Sequence, residues 1–143
     1  MVAFMAPTAA GEAQGAASGP ADPYSLDPQP DDAPGLARLK AAFRLLAAFR
    51  EAELICRQCG LGEIMNGYAR INGQALGQAV AAIRQGKGLT DEWKRSVALR
   101  ADAGVAQAFA EGDCGRLGQR IREGEWDLHK GEHEDDYLVM KGR

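Results

Sequence analysis

The stretch from Leu39 to Cys59, LKAAFRLLAAFREAELICRQC, constrains this chain more than any other. Leu39, Ala42, Phe43, Leu46, Phe49, Ala52 and Cys56 recur at the spacing of one helix face. Arg38, Lys40, Arg44, Arg50, Glu51 and Arg57 fall on or near the opposite side, which the pattern therefore assigns to solvent. An apolar face of this length needs covering. Later segments carry matching stripes, so the expected architecture is all-α, a small bundle of four to five helices.

Punctuation residues divide the rest. Asp31 and Asp32 ahead of Pro34 mark a helix start, because a carboxylate accepts the free N–H groups of a first turn and proline suits its first position. Gly60 is placed for a left-handed C-cap. Ile64, Tyr68 and Ile71 predict a short second helix ending at Asn72-Gly73, and Leu76, Val80 and Ile83 a third ending at the loop Gly86-Lys87-Gly88. The alternative to a break at Gly73 is that the two form one bent rod. Thr90, followed by Asp91, Glu92 and Trp93, is the clearest N-cap, opening a helix whose face runs through Val97, Ala101, Val105 and Ala108 to Gly112. Asp113 caps a last helix carrying Cys114, Leu117 and Ile121 as far as Gly124, after which Trp126 and Leu128 are expected to pack back on the bundle. Glu132, Glu134, Asp135 and Asp136 read as solvated.

All six prolines lie within the first 34 residues, among Ala, Gly, Ser and Asp, with only Phe4, Tyr24 and Leu26 large enough to bury. Such a segment does not repay its ordering entropy, so the expected organisation is a disordered tail over 1–31, a helical domain over 32–128 and an acidic tail over 129–143. Pro23, Tyr24, Ser25 and Leu26 form the one piece of the tail that reads as a short motif ordering on a partner. The hydrophobic fraction of 45% is inflated by alanine, and aromatics make up only 6%, so the helices must approach closely through Ala and Gly. A net charge of −3 argues against nucleic acid and anionic membrane as partners. No apolar run approaches the roughly 18 residues of a membrane span. Met1 to Ala10 lacks the basic start and long apolar centre of a secretory signal, so the expected location is cytoplasmic, or periplasmic if an upstream signal has been removed.

Three cysteines are the most suggestive chemistry. Cys56 and Cys59 stand three apart near the end of the first helix, where the dipole raises thiol pKa values instead of lowering them, against a thioredoxin-like role. Cys56, Cys59 and Cys114 with His129 or His133 would make a tetrahedral zinc set, but with a single C-x-x-C pair. A disulfide from Cys114 to Cys56 or Cys59 would tie the first helix to the last, and three small buried hydrophobes are the plainest alternative. In His129-Lys130-Gly131-Glu132-His133 the glutamate precedes the second histidine, so the zincin order is not met. Tyr68, Arg70, Asp102 and Glu111 are polar residues on helix flanks whose convergence spacing alone does not establish.

Leu76 to Thr90, LGQAVAAIRQGKGLT, resembles the first helix and turn of a lambda-repressor-like helix-turn-helix domain. The residues beyond Thr90 depart from that family: the next helix is too long and Gly104 to Ala110 is almost wholly apolar, so no DNA-contacting residue carries over. No catalytic constellation and no cofactor signature emerges. The expected function is non-catalytic, a small helical accessory or protein-interaction module with a protein partner; the alternative is a thiol- or zinc-containing regulatory protein using Cys56, Cys59 and Cys114.

Overall fold

The helix around Phe43 and Phe49 is the axis of the molecule. The computed structural model describes residues 22–86, 88–123 and 132–142, with side chains from 134 onward in the last stretch. These residues form five helices and no strand: α1 (Pro34–Cys59), α2 (Gly62–Gly86), α3 (Asp91–Glu111), α4 (Cys114–Arg122) and α5 (Glu132–Met140). Each later helix packs on α1.

Two apolar clusters lie along this axis. Around the first half of α1, Ala41, Ala42, Phe43 and Ala47 meet Ala79 and Ile83 of α2, Val97 of α3 and Met140 of α5. Around the second half, Ala52, Ile55 and Cys56 meet Tyr68 of α2, Ala108 of α3, and Leu117 and Ile121 of α4. The late part of α2 and the early part of α3 share the first cluster, so α2 runs antiparallel to α1 and α3 parallel to it.

Local signals place the helix ends. Gly60 takes φ 69°, and the Leu61 N–H donates to the Cys56 carbonyl at 2.8 Å, closing α1 in the left-handed turn that glycine permits. Thr90 Oγ1 accepts from the Trp93 N–H at 3.4 Å and Asp113 Oδ1 from the Arg116 N–H at 3.0 Å. Both expected caps are present.

At the start of α1 the expectation fails. Ala33 is the N-cap and offers no side chain to the first turn, although Pro34 begins the helix as predicted. Asp32 turns away because its carboxylate has other donors, the Gln29 N–H at 2.9 Å and the Lys40 ammonium at 3.0 Å. At Asn72-Gly73 the second of the two readings holds. The Asn72 amide donates to the Tyr68 carbonyl at 3.0 Å, one turn back within the helix, and α2 runs through as one rod. Ile71, expected in the core, is 68% exposed, lying to one side of the buried Tyr68, Ala79 and Ile83 stripe.

A larger correction concerns the polar side of α1. Lys40, Arg44 and Glu51 are 5, 7 and 6% exposed, because α1 is covered on more than one side and its charged residues are enclosed with the rest. The two expected tails supply part of that cover. Residues 22–31 lie against α1 and α3 through Leu26 and Tyr24, and within the expected acidic tail α5 buries Asp136 and Met140. Residues 1–21, together with Trp126, Leu128 and His129, fall outside the described residues.

Close approach through small residues is most evident at Gly104, where a Cβ would overlap the Glu51 carboxylate. The Glu51 carboxylate of α1 lies in the space that a side chain at this position of α3 would fill.

Candidate functional site

Cys59 is the last residue of α1 and Cys114 the first of α4, and the two are joined by a disulfide with Cα atoms 5.6 Å apart across 55 positions of sequence. Of the two bridges that spacing allows, Cys59 takes Cys114. Cys56, one turn earlier, points inward among Ile55, Leu117 and Ile121 and remains a free thiol, 3% exposed. Burial pushes that thiol's pKa up, because a thiolate there would lack solvation.

The candidate trio is therefore gathered at one end of the bundle, as a bridge at the rim with a protonated thiol beneath it. A zinc ion needs thiolates, and Cys59 and Cys114 are spent on each other. Among the described residues no group of three or more His, Cys, Asp and Glu side chains is placed to hold a metal. His129 lies outside the described residues, as does the side chain of His133. Tyr68 is buried against Phe49, with ring centroids 5.5 Å apart, whereas Arg70, Asp102 and Glu111 are exposed.

A second constellation sits at the opposite end, where α1, α3 and α5 form a groove that holds residues 22–32. The Arg44 guanidinium joins three parts of the chain. Its Nε donates to Asp136 Oδ1 on α5 at 2.8 Å and an Nη to the Leu26 carbonyl at 2.6 Å. One turn earlier the Lys40 ammonium donates to the Asp27 carbonyl at 3.3 Å and to both Asp32 oxygens. Arg100 of α3 reaches Asp27 at 3.2 Å.

Apolar contacts fill the spaces between these bonds. Leu26, 5% exposed, joins the cluster of Phe43, Val97 and Met140. Tyr24 meets Trp93 edge-on at 5.1 Å, and Trp93 stacks on Phe43 at 4.8 Å. The segment is folded into turns of its own, with the Tyr24 N–H donating to Asp22 and the Asp27 N–H to Ser25. Two donors, the Gln29 N–H and then the Lys40 ammonium, hold the Asp32 carboxyl below its ordinary value of 3.8.

Lys40, Arg44 and Asp136 were not singled out from the sequence. One signal for the first two was present: they stand i, i+4 in a helix with alanines at 41, 42, 47 and 48, spread around its circumference. A basic pair in such a helix is enclosed as soon as both sides are covered. Asp136 had no such signal, its partner being 92 positions away. No family model, curated protein or solved structure matches the chain.

Proposed function

We propose that this chain is a non-catalytic helical interaction module whose groove between α1, α3 and α5 receives a short protein segment with an aromatic residue, a leucine and a following carboxylate. The observation that carries the reading is the manner in which residues 22–32 are held: an apolar side chain in a pocket, backbone carbonyls on Lys40 and Arg44, and a carboxylate on Arg100. Side chains that read a segment through its backbone and one anchor residue are the chemistry of peptide recognition. The chain's own segment satisfies the groove in cis, so a partner segment competes with it.

The test uses a labelled peptide of residues 22–32, with the wild-type chain and a Tyr24→Ala/Leu26→Ala variant. The peptide is expected to bind the variant at least about tenfold more tightly, because weakening the internal occupant raises the receptive fraction. Arg100→Ala in the variant should reduce that binding. No binding to either protein at millimolar peptide would remove the reading.

A second reading, a thiol-regulated protein, is favoured by the Cys59–Cys114 bond, which places two of the three cysteines in a reversible couple. Persistence of such a bond fits an oxidising compartment better than the cytoplasm. A thiol count on untreated protein, giving one free thiol under denaturing conditions, is the supporting result; three would oppose it.

A further inference from the structure

We propose that the Cys59–Cys114 bond is a redox latch on α4, and that its reduction releases this helix and uncovers Cys56. The inference rests on the thiol-regulated reading and adds the moving element and the surface it guards.

α4 is the shortest of the helices that close the second cluster, and the disulfide ties its first residue to the end of α1. It is nine residues long and buries only Leu117, Gly118 and Ile121. Two large side chains offer little apolar area to set against the ordering of nine residues. Its seat depends on close approach: a Cβ at Gly118 would stand 2.9 Å from Leu61 Cδ1 and 3.4 Å from Ile64 Cδ1. Beneath α4 lies the floor formed by Ala52, Ile55, Cys56 and Tyr68. With α4 in place the Cys56 thiol is enclosed and kept protonated by burial, hence unreactive. The bridge is reachable, since Cys59 and Cys114 are each partly exposed.

The direction of reduction is set by the helix ends. Cys114 opens α4, where the N-terminal partial charge stabilises a thiolate; Cys59 closes α1, where the field has the opposite sign. Cys114 is the better leaving group, so a dithiol reductant attacks Cys59 Sγ. A bond forms between a reductant sulfur and Cys59, the Cys59–Cys114 bond breaks, and its electron pair leaves on Cys114, which takes up a proton. The second reductant thiolate then attacks its partner sulfur, Cys59 departs with the electron pair and is protonated, and the reductant becomes a cyclic disulfide. The protein has gained two electrons and two protons.

The test treats the full chain with dithiothreitol, then pulses it with N-ethylmaleimide, reading each cysteine by mass spectrometry and backbone amides by hydrogen exchange. Before reduction Cys56 is expected to resist labelling. Afterwards its rate should rise to within about tenfold of that of Cys59, while residues 117–122 exchange as open chain and the centre of α1, though weakened, stays protected. A Cys59→Ser/Cys114→Ser variant should show the same open pattern without reductant. The proposal is overturned if Cys56 stays resistant and α4 protected after reduction, or if the centre of α1 opens to the same unprotected level as α4, which would mean that no helix is released on its own. Three free thiols in untreated protein would instead remove the parent reading, a result distinguishable from either.

Discussion

At the scale of single residues, the molecule encloses charge and omits side chains in the same helix packing. Arg44 lies inside the fold with one carboxylate and one carbonyl on its guanidinium, an arrangement whose net stabilisation is small but whose disruption is not. Asp136→Ala leaves that guanidinium without its carboxylate and is expected to cost ~3–5 kcal/mol in urea unfolding, whereas Arg44→Met combined with Asp136→Leu, which removes both charges, should cost much less. Equal losses in the two variants would mean that the pair is not the source. Gly104 makes the complementary case. In an exposed helix Gly→Ala gains about 0.5–1 kcal/mol. Here the new methyl would occupy the place of the Glu51 carboxylate, so Gly104→Ala is expected to destabilise. The double-mutant cycle with Glu51→Ala should show coupling on the order of 1 kcal/mol or more, and an additive cycle would contradict the close approach of α1 and α3.

At the scale of elements, the disulfide converts two distant helix ends into one corner. Closing a loop of 55 positions is worth about 4 kcal/mol in the chain-entropy account. For a domain of this size, Cys59→Ser/Cys114→Ser is then expected to lower Tm by about 15 °C, while Cys56→Ser should leave the bridge intact. Calorimetry on the two variants decides whether the bridge or the buried thiol matters more. How far these elements could be read from the sequence depended on where their determinants lie. Gly60, Thr90 and Asp113 act within four residues of themselves, and each was legible. The helical stripe through Val97, Ala101 and Ala108 was legible for the same reason, since periodicity is a local property. At Asn72-Gly73 the sequence left a break and a single rod both open, because punctuation is a weak preference that packing decides, and the rod is what forms. α5 was invisible: its acidic sequence reads as solvated until Arg44 is brought to Asp136 by the fold itself. The bridge was legible only as a choice between two cysteines, settled by which of them faces the rim.

At the scale of the whole molecule, chain segments from both ends close on one side of α1, and their attachment is electrostatic as well as apolar. Lys40 and Arg44 hold residues 22–32, and Arg44 also holds α5. This makes the groove responsive to acid in a definite direction. The Asp32 carboxyl titrates lower in the folded chain than its ordinary 3.8, because the Gln29 N–H and the Lys40 ammonium both favour its charged form. A depressed folded-state pKa contributes stability that is complete above the unfolded value and is lost as pH falls through the folded one. Acidification below about pH 4 is therefore expected to loosen residues 22–32 before the bundle opens. In a Trp126→Phe background Trp93 reports the event, since Tyr24 lies edge-on against it at 5.1 Å. Its fluorescence should change at higher pH than the loss of helical circular dichroism. In Asp32→Asn, which no longer offers Lys40 a carboxylate, the segment should already be loosened at pH 7 and the early acid step should flatten. A single transition in both signals, unchanged by Asp32→Asn, would show that the segment and the bundle open as one unit and that the groove has no separately exchangeable occupant.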